Sequence, residues 1–156
     1  MNTGTFDPKK ALQLTKMIYF ALVSGILLFT VLVFYIQTEP FVFNANLSDP
    51  ILVMIMILCF VVIPAGYLFA KNLYGKINPS FSFGEKYPIY QTGLIIRLAT
   101  CEGVALLSIV NLLLSNNLIN ILFLIIPLSV IAMYFPTPEK IGSEINLTPS
   151  EIEKFY

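Results

Sequence analysis

Four runs of apolar residues, each long enough to cross a lipid bilayer, dominate this sequence. A membrane-spanning helix needs about 20 mostly apolar residues. The runs cover residues 17–36, 51–70, about 93–114 and 118–135. The fourth is near the lower limit of about 17 residues for a span. The pattern therefore predicts an all-α fold, namely an integral membrane four-helix bundle.

The composition excludes several classes of soluble protein. Apolar residues make up 57% of the chain and charged residues 12%, and the mean hydropathy is +0.83. A chain of 156 residues exposes too much surface to hide that apolar area from water. Nine Lys and Arg balance nine Asp and Glu, so no net charge attracts a polyanion. We therefore expect the lipid bilayer as a partner, no nucleic acid, and neither a disordered chain nor a soluble enzyme.

Missing residue types narrow the chemistry further. The sequence has no His, which removes b-type haem, His-ligated iron, zinc hydrolases and Ser-His-Asp catalysis. Its two cysteines, Cys59 and Cys101, form no CxxC pair and lie within apolar runs, as buried thiols do. We therefore expect no cofactor, no metal site, no catalytic residue and no enzymatic activity.

Several helix ends are marked by local signals. Asp7-Pro8 and Asp49-Pro50 each combine an N-cap residue with proline at the first helical position, so helices are predicted to begin there. Residues 115–117, Ser-Asn-Asn, form a short polar turn that makes the third and fourth helices antiparallel neighbours.

The tail carries a signal of its own. Thr148 and Glu151 fit a capping box, which predicts a short amphipathic helix over about residues 149–155. The predicted organisation is an N-terminal segment, a four-helix transmembrane domain and a tail: residues 1–16, 17–135 and 136–156.

Lysine and arginine alternate between successive loops. They occur before the first span, between the second and third, and after the fourth: Lys9, Lys10, Lys16, Lys71, Lys76, Lys86, Arg97, Lys140 and Lys154. The other two loops have none. The positive-inside rule then places both termini in the cytoplasm and predicts a multi-pass protein of the cell inner (cytoplasmic) membrane. Asn46 and Asn146 each begin an Asn-x-Ser/Thr triplet, and both are interpreted as chance matches.

Five aromatic residues lie between the second and third runs: Tyr74, Phe81, Phe83, Tyr87 and Tyr90. We interpret this segment as a loop at the membrane interface, with a docking surface as the alternative.

Two charged residues lie inside the third run. Arg97 is about 6 Å from its cytoplasmic end, where it is either an interfacial anchor or the ion-pair partner of a buried carboxylate. Glu102 is about 14 Å deep, near the midplane, and must be protonated, paired or facing a wet cavity. The two lie about 140° apart on the helix, which predicts that other helices surround the third one.

Depth matching defines a hypothetical midplane binding site around Glu102. Ser24, Pro64, Pro127 and Ser129 lie at a similar depth on the other three helices. Each proline frees a backbone carbonyl one turn earlier, here those of Phe60 and Phe123. Such a site would suit a proton or a small cation, whereas the alternative is that Glu102 only holds helices together.

The run from Arg97 to Gly103, a spanning hairpin, and then Phe135-Pro136 before a short charged tail resemble small four-helix membrane proteins of Bacteroidota. That family has no assigned role, so no site residue carries over. Glu102 is also similar in placement to the midplane carboxyl of rotary ATPase proteolipids, although these helices are rich in Leu, Ile and Phe rather than Gly and Ala.

Two functions follow from these observations. The first is a non-enzymatic structural or accessory membrane subunit that contacts a membrane-protein partner or forms a homo-oligomer. The alternative is a small transporter or an ion- or proton-coupled protein that uses Glu102.

Overall fold

The computed structural model describes residues 6–45 and 48–156, and the Asn46 triplet begins outside this part of the chain. Within it the protein is all-α and has no strand. The helices are α1 (Pro8–Ile36), α2 (Pro50–Gly75), α3 (Phe83–Ser115), α4 (Ile119–Met133), α5 (Pro138–Ile145) and α6 (Pro149–Ile152), and a short 3₁₀ turn (Glu153–Phe155) follows.

The predicted helix starts are confirmed where Asp precedes Pro. The Asp7 carboxylate accepts hydrogen bonds from the backbone N–H groups of Lys9 and Lys10, and the Asp49 carboxylate accepts one from Ile51. These side chains satisfy backbone donors that have no partner inside the helix. The short turn after Ser115 and the capping box before α6 are also present.

Three helices are long and apolar enough to cross a membrane: α1, α2 and α3. The fourth apolar helix, α4, has 15 residues and is about 22 Å long, which is shorter than a hydrocarbon core of about 30 Å. The next helix, α5, is bent away from α4 by 85° and would complete a fourth span only as part of a broken pair.

The α2–α3 connection is shorter than the sequence analysis predicted. Helix α3 begins at Phe83 because Ser82 and Glu85 form a capping box, in which the Glu85 carboxylate accepts from the backbone N–H of Ser82 at 2.7 Å. Tyr87 and Tyr90 are each 1% exposed inside the fold. The expectation of an aromatic loop at the interface was therefore wrong for most of this segment, because its rings pack in the core.

Helix α3 is the central element, as predicted. Half of its most apolar 18-residue window is buried, against 28% for α2 and 17% for α1. It packs against α1, α2, α4 and α5. Its polar face turns inward, and that face includes Arg97, Cys101, Ser108 and Asn111.

Hydrogen bonds between distant segments define the two ends of the molecule. At the lysine-rich end, the Lys9 ammonium donates to the backbone oxygen of Tyr156 at 2.6 Å. At the opposite end, Val42 in the α1–α2 loop makes two backbone hydrogen bonds with the α3–α4 turn: its N–H donates to Asn116 O, and its carbonyl accepts from Leu118 N. Helices α1 to α4 therefore alternate in direction along the chain.

Candidate functional site

Arg97 is the most buried cation in the described part of the chain, with 3% of its surface exposed. It lies on the face of α3 that also carries Leu94, Leu98 and Cys101, all of which are buried. Helical spacing of three and four residues places these side chains on one inward face. Because so little of Arg97 is exposed, most of the balance for its charge must come from within the fold.

Glu144 on α5 supplies that balance. Its Oε1 accepts a hydrogen bond from Arg97 Nη1 at 2.7 Å. The chain positions Glu144 by starting α5 with Thr137 as N-cap and Pro138 as the first helical residue. Ile141 and Ile145 on the same helix are buried, and α5 packs against α3.

Three tyrosine rings surround the guanidinium. The Arg97 Cζ atom lies 4.9 Å from the centroid of the Tyr74 ring, and 5.1 Å from those of Tyr67 and Tyr134. Contact with a ring face favours a cation electrostatically. The Tyr74 hydroxyl donates to the Tyr90 carbonyl, which fixes that ring. The cage immobilises the cation without taking up its N–H groups.

A cavity of about 390 Å³ opens beside this cluster. Its lining comes from the end of α2, the middle of α3 and the end of α5: Tyr67, Lys71, Tyr74, Gly75, Arg97, Ser143, Glu144 and Asn146. Within the described ranges, no group of three His, Cys, Asp or Glu side chains is placed to hold a metal ion.

Glu102 lies on the other side of α3 and is half-buried. In the part of the chain that the structure describes, it makes no hydrogen bond or ion pair. The next residue, Gly103, is exposed, and a Cβ built on it would have no atom within 4 Å. Glu102 therefore lies beside open space over Gly103 on the helix surface, and this space is called the notch below.

The other residues of the hypothetical midplane site point in different directions. Ser24 and Pro64 are exposed, whereas Pro127 is buried. Ser129 is exposed, and its hydroxyl donates to the Ile125 carbonyl of its own helix. No hydrogen bond joins any of these residues to Glu102 among residues 6–45 and 48–156. Pro127 frees the backbone carbonyl of Phe123, and the Cys59 thiol donates a weak hydrogen bond to that carbonyl at 4.0 Å.

A second ion pair docks the tail. The Lys86 ammonium, on a residue that is 5% exposed, lies 3.5 Å from Glu151 Oε1. The other oxygen of Glu151 accepts from the backbone N–H of Thr148 at 2.8 Å. Desolvation acts to raise the pKa of Glu151, but the Thr148 hydrogen bonds and the Lys86 charge hold that pKa below its ordinary value. The carboxylate is thus charged in its docked position.

Arg97 stands out in the sequence, but its partner Glu144 and its tyrosine cage do not. Glu144 lies 47 residues away, so helical spacing could not reveal the pair. A signal for the helix that carries it was present, because Thr137-Pro138 repeats the cap-and-proline pattern and Ile141 and Ile145 are four residues apart.

A scan against protein-family models, a search of curated proteins and a search of solved structures found nothing that matches this chain.

Proposed function

We propose that this chain is a four-span protein of the cytoplasmic membrane, folded as a four-helix bundle with both termini inside. The alternation of Lys and Arg between loops supports this orientation. The two-ended arrangement of contacts supports it as well, because the lysine-bearing segments meet at one end. We also propose that the chain belongs with the small Bacteroidota membrane proteins that it resembles.

Its proposed role is that of a non-enzymatic structural or accessory subunit, which binds another membrane helix. One observation carries the proposal: Glu102 lies beside an open notch at Gly103 and makes no hydrogen bond or ion pair within the described residues. A charged or unpaired carboxyl in hydrocarbon is costly, by at least about 2.5 kcal/mol for a charged group. A neighbouring helix with a hydrogen-bonding group would remove that cost.

The shape of the surface supports a helix as the occupant. Ala99 and Gly103 are exposed and four residues apart, so they leave room for close backbone approach. The bound helix comes either from a second copy of this chain or from a different membrane protein.

An ion- or proton-coupled transporter that uses Glu102 is the second candidate. The unbonded carboxyl favours it, since such a group is free to exchange a proton. The outward placement of Ser24, Pro64 and Ser129 gives it less support, because these residues do not provide an ion with further ligands.

The notch can be tested by filling it. Gly103→Leu adds a side chain where the fold leaves space, so the isolated protein should stay folded while assembly in native membranes is lost. Gly25→Leu is the matched control, because Gly25 on α1 also has no atom within 4 Å of an added Cβ. Crosslinking and native gel electrophoresis would measure assembly. A Gly103→Leu variant that assembles like wild type would contradict the accessory role.

Glu102→Gln separates the two candidates. The amide can still hydrogen-bond to a partner helix but cannot carry a proton. Assembly and the phenotype of a complemented deletion strain should both survive in an accessory subunit. Loss of the phenotype with normal expression and assembly would favour ion coupling instead.

A further inference from the structure

The cavity beside Arg97 contains cationic groups that the ion pair with Glu144 does not use. A guanidinium has five N–H donors. In the described part of the chain, only the bond from Nη1 to Glu144 engages one of them, and Nε is buried without a partner. A buried donor without an acceptor is destabilising. Arg97 lines the cavity and therefore still has N–H groups to offer an additional acceptor.

A second cation lines the same cavity. Lys71 is exposed and makes no ion pair or hydrogen bond through its ammonium group to any described residue. Arg97 and Lys71 together outweigh the single negative charge of Glu144, so the lining has one excess positive charge. Asn146 adds an exposed amide at the rim.

We propose that this cavity binds a phosphate group, carried either by an anionic phospholipid or by a free phosphate ion. Arginine presents N–H groups in a planar fork that matches phosphate oxygens, and lysine adds a mobile point charge. The volume of about 390 Å³ lies within the range of about 300–1,000 Å³ that is typical of small-molecule sites. The tyrosine cage prepares the site, because it fixes the guanidinium and leaves its N–H groups available.

The position of the cavity makes a lipid headgroup accessible to it. Lys71 follows the apolar run of α2, and Tyr67, one turn earlier, is 42% exposed. Tyrosine and lysine are typical of the headgroup level of a bilayer. A lipid whose acyl chains lie along α2 could therefore place its phosphate at Arg97. This inference concerns a different face from that of Glu102 and does not depend on the accessory role.

The test uses the whole protein in neutral detergent, titrated with phosphatidic acid or with sodium phosphate. Thermal-shift titration gives the apparent affinity, and native mass spectrometry identifies retained lipid. Lys71→Gln should weaken phosphate-dependent binding about tenfold, because it removes a charge-assisted contact. Lys76→Gln is the matched control, since Lys76 is an exposed lysine five residues later that does not line the cavity.

The outcomes distinguish the source of the phosphate. If only phosphatidic acid binds and Lys71→Gln weakens that binding, the cavity is a lipid site. If sodium phosphate also binds and Lys71→Gln weakens its binding equally, the cavity is a site for free phosphate. Arg97→Lys should weaken either probe further, but the conclusion does not rely on that variant folding. If neither probe binds, or if Lys71→Gln and Lys76→Gln lose the same affinity, the proposal is wrong.

Discussion

The ion pair between Arg97 and Glu144 joins α5 to α3. Arg97 is 3% exposed, whereas the Glu144 side chain is 20% exposed. Removing one member of a buried pair leaves an uncompensated charge, which is more damaging than removing both. The cost of breaking the pair therefore comes mainly from leaving Arg97 charged, buried and without its counter-ion.

Glu144→Ala should lower the free energy of unfolding by about 3 kcal/mol, because Arg97 keeps its charge and loses its counter-ion. Thermal melting in detergent measures the effect. Glu153→Ala is the control on the same tail, since the Glu153 side chain is exposed and makes no hydrogen bond or ion pair within the described residues. Arg97→Leu combined with Glu144→Leu should recover much of the loss. Equal melting of the two single variants would show that the pair does not stabilise the fold.

The Lys86–Glu151 pair predicts a pH dependence of its own. A carboxyl with a lowered folded-state pKa stabilises the fold above its unfolded pKa, about 4.3, and loses that contribution as pH falls through the folded value. Glu151→Gln keeps the capping contacts but not the charge, and should cost about 1–2 kcal/mol at neutral pH. The difference in melting temperature between the two proteins should shrink as the pH falls below about 4.3, and it should vanish once the folded-state carboxyl is protonated. A constant difference down to pH 3 would contradict this account, and Glu153→Gln should show none.

At the scale of helices, close approach of α2 and α3 depends on a missing side chain. A Cβ at Gly66 would lie 2.5 Å from the Thr100 hydroxyl oxygen, far inside contact distance. Gly66 and Thr100 therefore set the separation of the two helices that also hold the walls of the Arg97 cavity.

Gly66→Ala should destabilise the protein by about 1–3 kcal/mol through overpacking. The same change at Gly25 should be neutral or stabilising by up to about 1 kcal/mol, because the site is open and alanine favours helix. Melting temperatures of the two variants provide the comparison. Combining Gly66→Ala with Thr100→Ala should recover stability, and failure to do so would place the strain elsewhere.

Local sequence signals predicted where helices exist better than they predicted how long each helix is or which of its faces is buried. Asp7-Pro8 and Asp49-Pro50 act within one turn, so the sequence alone located those starts. The start of α3 was placed about ten residues late, because the aromatic residues before residue 93 were interpreted as a loop, although Ser82 and Glu85 form a capping box. Proline at the sixth helical position was compatible with the helix.

The candidate site was predictable only in part. Depth along a helix follows from residue counting, but the direction in which a side chain points depends on packing between helices. Depth matching therefore grouped Ser24 and Pro64 with Glu102, although both face outward in the fold. The partner of Arg97 depended on a tertiary contact across 47 residues, for which a single sequence carries no local signal.

At the scale of the whole molecule, the proposed topology can be tested with single cysteines. Cys59 and Cys101 are 5% and 0% exposed, so labelling from the native thiols should be low. In intact cells an impermeant maleimide should label Ala45→Cys and should leave Ser80→Cys unlabelled until the membrane is permeabilised. Both positions are exposed in the fold. Labelling of Ser80→Cys in intact cells would show that the proposed orientation is wrong.

The long separation between Arg97 and Glu144 also has a consequence for biosynthesis. Because chains are made from the N-terminus, α3 is synthesised with its cation before the residue that neutralises it exists. In the proposed topology, the guanidinium stays near the headgroups during that interval, because Arg97 lies close to one end of the apolar run of α3. Glu144 can pair with Arg97 only after α5 has been made, so docking of α5 is a late step. In the proposed topology, the tail therefore docks at the membrane surface only after the helices that it contacts have been made.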